Sequence, residues 1–326
     1  MKRYEGIYGA YMTLCEEENR EMPEKAVVLI FPGGGYSWLS ARESTPVERA
    51  LHRAGFKAAV LYYDTDSEIL GLTPIKQAAW GVAKLKELYP GHKVYVLGFS
   101  AGSHCAGSLA VHWNHRDWKG EALFDDVTEY LEGHADAPLI PLPDSSLRTA
   151  GCAGDAAAAR RFRPDRAVLS YPVITAGPYA HFGSFERLTG LSEEELKKLA
   201  GGETGDGSLS SYSDKSARCL KKETENRPLS SLLWFSLETQ VDETAPPVFL
   251  WHTASDESVP VQNSLLFAGA LAAAKVPFEL HIYPFGPHGL SLATKEVEDP
   301  EKNRFADPHV AEWFGTMVKW LREVQA

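Results

Sequence analysis

A chain of 326 residues with 44% hydrophobic, 11% aromatic and 24% charged residues has a globular composition, which excludes disordered, collagen-like and disulfide-scaffold classes. Thirty-three Lys and Arg against 44 Asp and Glu give a formal net charge of -11, which repels phosphate backbones and anionic lipid, so neither nucleic acid nor a membrane is an expected partner. No apolar run nears the roughly 20 residues of a membrane span, no secretory signal follows the basic opening residues, and Cys15, Cys105, Cys152 and Cys219 form no C-x-x-C pair, so reduced thiols in a cytoplasmic protein without a metal site are expected.

The first strong element is the continuous apolar run 26–31, of strand length, which ends directly at Pro32-Gly33-Gly34-Gly35. A helix is expected over 41–54, then a strand over 57–63. Thr73 and Pro74 open the next helix, as cap and first-turn proline. Ile75, Ala78, Ala79, Val82 and Leu85 recur along it as one apolar stripe. Gly91 closes it, and a strand over 93–97 leads into Gly98-Phe99-Ser100-Ala101-Gly102 and a helix over 101–111. Strands follow over 167–171, 248–252 and 278–283, with a helix over 261–274 between the last two. The final helix carries Val310, Trp313, Phe314, Met317, Trp320 and Leu321 on one side, to pack on the sheet.

Strand runs without polar alternation suit strands covered on both faces. The alternation of strand and helix then gives an α/β fold: a doubly wound, mostly parallel sheet with helices on both faces. Two stretches break the rhythm, 112–164 with Pro138, Pro141 and Pro143, and 175–246, which has a Ser192/Glu195 capping box and a Gly/Ser/Asp-rich loop over 201–216. Neither is large enough for a core of its own. The expected organisation is a single domain over 1–326 with these two insertions.

The sharpest chemical signal is Gly98-Phe99-Ser100-Ala101-Gly102, a G-x-S-x-G between a strand and a helix. A serine on such a turn is exposed at the C-terminal edge of the sheet, and the flanking glycines remove side chains that would clash there. The Ala101 N–H, at a helix N-terminus, faces any oxyanion formed beside Ser100. A serine needs a base, and the elbow pattern calls for an acid and then a histidine downstream, each just after a strand. Asp256, in Thr253-Ala254-Ser255-Asp256, and His288, in Gly286-Pro287-His288-Gly289, occupy those places. Glu257 is the rival acid. Of the other histidines, His252 and His281 lie in strands, His104 packs one turn beyond the serine, and His112 with His115 reads as solvated surface. The triple glycine after the first strong strand lacks phosphate-loop patterns and fits the second half of an oxyanion hole, through Gly34 and Gly35. Tyr36 and Trp38, just beyond, read equally as pocket lining and as packing aromatics.

Together these residues resemble the α/β-hydrolase superfamily, and within it the acetylesterase and acetylxylan-esterase-like branch related to hormone-sensitive-lipase-type esterases. The carrying segments are Leu29–Trp38, Leu97–His104, Ala245–Thr253 with Asp256–Pro260, and Gly286–Leu292, in the family's order. The resemblance implies a serine esterase with Ser100 as nucleophile, His288 as general base and then acid, and Asp256 orienting it. It implies oxyanion donors on Gly34, Gly35 and Ala101, no metal or organic cofactor, and a small-molecule ester substrate with a short acyl group, such as an acetylated sugar. Pro32 stands where many lipase-like relatives have histidine, while the acetylesterase-like branch commonly has proline. The alternatives within the same triad order are a prolyl-oligopeptidase-like peptidase, for whose propeller this length has no room, and an inactive binding module, for which an intact triad has no use.

Overall fold

Successive residues of a strand face opposite ways, so a run that is apolar at every position needs cover on both sides. The computed structural model, which describes residues 1–15, 23–134, 159–200 and 227–323, provides that cover. Eight strands form one sheet: β1 (Lys2–Glu5), β2 (Tyr11–Leu14), β3 (Ala26–Phe31), β4 (Lys57–Tyr62), β5 (Lys93–Phe99), β6 (Arg166–Ser170), β7 (Val248–Thr253) and β8 (Phe278–Tyr283). Their spatial order is β1-β2-β4-β3-β5-β6-β7-β8. The first two pair antiparallel, and β2 runs antiparallel to β4; every other pairing is parallel.

The strand residues divide by parity between two cores. Val27, Leu29 and Phe31 join a core with helix α2 (Thr73–Leu88), helix α3 (Ala101–His112) and the helix Gln262–Ala273. Ala26, Val28 and Ile30 join the other, with helix α1 (Thr45–Arg53) and the helix Pro308–Glu323. The stripe of α2 and, of the last helix, Val310, Trp313, Met317, Trp320 and Leu321 are buried as their spacing implies, while Phe314 is only partly covered. The doubly wound α/β sheet is therefore the observed architecture.

Several boundaries differ from the sequence reading for local reasons. The helix expected over 41–54 is broken at Ser44, whose φ of -107° and ψ of -103° separate a 3-10 turn, Ala41–Glu43, from α1. Pro46, which has no N–H to donate, then serves the first turn of α1. Thr73 is the first residue of α2 rather than its cap; Leu72 holds the cap position without a side-chain bond. The edge strand β8 is only partly covered on both faces, with Phe278 and Ile282 each 38% exposed. Strands β1 and β2 carry no long apolar run and went unanticipated. Within 112–164 and 175–246 lie the helices Asp125–Gly133, Phe182–Thr189, Glu193–Leu199 and Arg227–Trp234. Ser192 and Glu195 form the expected capping box. Pro138, Pro141, Pro143, the 201–216 loop, Cys152 and Cys219 lie outside the described residues. No described helix is long and apolar enough to cross a membrane.

Candidate functional site

The parallel strands end together along one edge of the sheet. Register pairs Phe31 of β3 with Gly98 of β5, and Gly98 with Leu169 of β6. The chain therefore leaves β3, β5 and β6 side by side, the usual place for a site in an open α/β sheet. At the end of β5, Ser100 takes φ 54° and ψ -119°, a strained turn for a residue with a side chain. Its neighbours have no room for one. A Cβ on Gly98 would lie 2.4 Å from Ser103 Cα, and one on Gly102 would lie 2.1 Å from the Phe31 carbonyl oxygen. The two glycines of the motif are thus required by backbone contact, and the Ser100 N–H donates to the Ser170 carbonyl at 3.0 Å.

Ser100, Asp256 and His288 come together from three strand ends. His288 Nε2 lies 2.8 Å from Ser100 Oγ, and its Nδ1 lies 2.6 Å from Asp256 Oδ2. A carboxylate only accepts, so Nδ1 carries the proton it donates, and the neutral ring turns the Nε2 lone pair to the serine hydroxyl. Burial alone would raise the Asp256 pKa. Hydrogen bonds from His252, His288 and the Val259 N–H outweigh burial and hold it well below the usual carboxylate range. The acid is thus locked as acceptor: its Oδ1 takes the N–H groups of Ser258 and Val259, both at 2.9 Å. His252 is buried in β7, with Nδ1 2.8 Å from Ser264 Oγ and Nε2 2.9 Å from the Val259 carbonyl oxygen. The rival acid Glu257 points to solvent.

Gly34 (φ 134°) and Gly35 (φ 62°) have conformations that only glycine adopts freely, and a Cβ on Gly34 would lie 2.0 Å from the Trp38 carbonyl oxygen. The Gly34 carbonyl folds back to accept the Ser37 N–H at 3.0 Å. The preceding Gly33 N–H is already taken, donating to Glu43 Oε2 at 2.8 Å. The Ala101 N–H belongs to the first turn of α3, whose donors have no acceptor within the helix. Gly34, Gly35, Ser100 and His288 line one cavity of about 300 Å³, with Trp38, His181, Ser258 and Arg304 around its rim.

The two aromatics of the glycine segment part company. Trp38 is 48% exposed and lines the cavity. Tyr36 does not line it: its ring is buried edge-on to Tyr63, and its hydroxyl donates to His104 Nδ1 at 2.8 Å. The packing alternative is the one realised for Tyr36, because a polar tip facing inward finds its partner on α3. His104 is buried, its Nε2 2.9 Å from the Phe235 carbonyl oxygen, and burial lowers its pKa to about 4. His112 departs from the solvated-surface reading. It is fully buried and stacked on Trp234 at 3.8 Å between centroids, with His115 beside it and paired to Asp242 at 3.0 Å. Among the described residues no cluster of three or more His, Cys, Asp or Glu is arranged to hold a metal ion.

Several residues at the site escaped the sequence reading. Tyr171, one residue past β6, lies edge-on to the His288 ring at 5.0 Å and donates its hydroxyl to Glu43 Oε1 at 2.6 Å. The Arg304 Nε donates to the His288 carbonyl at 2.7 Å, and the Arg42 Nη1 to the Gly289 carbonyl at 2.8 Å. His181 caps the helix Phe182–Thr189 and enters the cavity wall. Only His181 had a sequence signal, a polar residue three before Ser184 at the head of an amphipathic segment; the others are found through contacts between distant segments.

Residues 211–315, which include Asp256 and His288, match the prolyl oligopeptidase family. Over 301 residues the chain is 32% identical to endo-1,4-beta-xylanase B of Butyrivibrio fibrisolvens, an alignment covering 90% of this chain and 37% of that protein. The chain thus spans little more than a third of the length of this curated relative. Among solved structures, an acetyl ester-xyloside bifunctional hydrolase from Caldicellulosiruptor lactoaceticus is 29% identical, with a TM-score of 0.61 over 97% of this chain and 88% of that one. A carboxylesterase from Lactobacillus plantarum is 20% identical, with a TM-score of 0.60 over 96% and 92% of the two chains. A sugar hydrolase from Lactococcus lactis is 22% identical, with a TM-score of 0.60 over 98% and 96%. At the last two identities what is shared is the fold.

Proposed function

We propose that this chain, an α/β-hydrolase, is a serine carboxylic-ester hydrolase acting on short-acyl esters, acetyl above all, of small polar alcohols such as sugars. The observation that carries the reading is the Asp256–His288–Ser100 line, with links of 2.6 Å and 2.8 Å, ending at a glycine-walled cavity. In this reading Ser100 Oγ attacks the ester carbonyl carbon while its proton passes to His288 Nε2. Asp256 accepts the Nδ1–H throughout and stabilises the imidazolium. The carbonyl oxygen, now an oxyanion, accepts from the N–H groups of Gly34, Gly35 and Ala101. Collapse breaks the ester C–O bond, and the leaving alkoxide takes the proton from Nε2. Water, deprotonated by the same nitrogen, then cleaves the acyl-enzyme, and the proton returns to Ser100 Oγ.

The cavity supports the substrate class. Its volume of about 300 Å³ suits a small acyl group, and Ser258, Arg304 and the exposed Trp38 ring offer polar and flat surfaces to a hydroxylated alcohol. The xyloside hydrolase and the xylanase among the relatives point the same way. A single domain with insertions at 112–164 and 175–246, and a cytoplasmic setting, complete the proposal.

The test measures hydrolysis of p-nitrophenyl acetate, butyrate and octanoate beside an aminoacyl-p-nitroanilide, with acetate release from acetylated xylosides. We expect the acetate ester to be fastest, the anilide to be untouched, and Ser100→Ala to lower kcat/KM by at least about 10⁴-fold. Short-ester turnover that survives Ser100→Ala sinks the mechanism. An anilide cleaved faster than the acetate ester favours the peptidase reading, which the prolyl oligopeptidase likeness keeps in the test.

A further inference from the structure

A histidine that caps a helix has one nitrogen committed before any ligand arrives. His181 Nδ1 lies 3.3 Å from the Ser184 N–H and 2.9 Å from Ser184 Oγ. A backbone N–H can only donate, so Nδ1 is the acceptor and the proton of the neutral ring sits on Nε2. Burial lowers the His181 pKa and keeps the ring neutral. Neutrality matters beside His288, which becomes positive during the reaction and would be opposed by a second cation. The Cε1 edge of His181 stands 3.6 Å from where a Cβ on Gly35 would lie, and the ring lines the cavity that holds Ser100 and His288. No other described residue engages its Nε2.

We propose that His181 is a specificity-determining residue whose fixed Nε2–H donates to a hydroxyl oxygen on the alcohol portion of the bound ester. The inference rests on the esterase reading given above. Glycine-loop and helix N–H groups already serve the carbonyl oxygen there. A further neutral donor, on the wall beside the imidazole that reprotonates the leaving alcohol, serves that alcohol. A hydroxylated alcohol such as a sugar offers the acceptor; a plain alkyl alcohol does not, and discrimination follows from that difference.

Two substitutions separate this role from helix capping. In His181→Asn the side-chain oxygen stands where Nδ1 stood and still caps Ser184, but nothing reaches the cavity. In His181→Gln the amide nitrogen reaches the place of Nε2, while the cap is lost. The measurement is the ratio of kcat/KM for a monoacetylated methyl xyloside to kcat/KM for ethyl acetate, with a thermal melt of each variant. We expect His181→Asn to melt like the wild type and to lose about tenfold of that ratio. We expect His181→Gln to melt lower and keep the ratio. An unchanged ratio in His181→Asn, or equal loss of it in both variants, overturns the inference while leaving the esterase intact. Wild-type protein without ester turnover sensitive to Ser100→Ala removes the esterase reading and this inference with it.

Discussion

Ser100 and His288 meet at 2.8 Å from opposite situations in the sheet. Ser100 ends β5, which has β3 on one side and β6 on the other, and its turn is wedged between backbone atoms. His288 follows β8, the edge strand, which has a neighbour on one side only. The loop beyond it is held by side chains from elsewhere. Arg304 and Arg42 donate to the carbonyls of His288 and Gly289, the Tyr171 hydroxyl accepts the Ser291 N–H at 3.0 Å, and Trp313 Nε1 donates to the Ser291 carbonyl at 3.0 Å. At the centre of a sheet, position is fixed by close-packed main chain that tolerates no added atom. At its edge comparable placement comes from long side chains, each removable at a graded loss.

The largest expected effect tests the central half of that contrast. Gly102→Ala puts a Cβ 2.1 Å from the Phe31 oxygen and 2.5 Å from the Pro32 oxygen, both main chain. The variant should lose more than about 4 kcal/mol and fold poorly; a urea midpoint near that of the wild type would break the comparison. Next comes the edge. Arg304→Ala removes the donor to the His288 carbonyl and should lower kcat by up to about 10²-fold through a misplaced imidazole, in a protein that still folds. Steady-state kinetics beside a urea melt separate the two effects, and unaltered kcat would show that the loop holds itself.

The smallest effect concerns a stretch of intermediate kind, the chain that follows β6. Glu238 Oε1 accepts from Thr175 Oγ1 at 2.7 Å and from Ser236 Oγ at 2.9 Å, while Ser236 Oγ also accepts the Ala176 N–H. Its Oε2 is shut from solvent and has no partner among the described residues. Burial raises its pKa from 4.5 to about 7. The folded state therefore holds this proton more tightly than the unfolded chain does. The stabilisation is full below about pH 4.5 and is lost as pH rises through about 7. Between pH 5 and 8 the wild type should lose on the order of 2–3 kcal/mol that Glu238→Gln does not lose. Urea melts at both pH values check it, and parallel slopes would contradict it.

The strands of the parallel sheet were legible because both of their faces are covered: every residue of β3 and β7 is buried, and each run is apolar nearly throughout. The short β1 and β2 were not, since their pattern is too brief to stand out from the loops beside them. Ser100, Asp256 and His288 were readable because each follows a strand in a motif whose glycines and turns are local. Glu43 and Arg304 were not, because their meaning lies in partners 10 to 128 residues away, and on the other side of the catalytic loop. His112 was misread for a related reason: its spacing from His115 is that of an exposed helix face, but Trp234 from a distant helix covers it.

Glu43 has one oxygen on the Gly33 N–H and the other on the Tyr171 hydroxyl. The first anchors the glycine segment that lines the cavity, and the second braces the Tyr171 ring set edge-on to the imidazole. Both halves of the site thus turn on a common pivot. A change that moves the glycine turn therefore reaches the ring beside His288 through a single carboxylate, so the wall of the cavity and the seat of the imidazole are geared together.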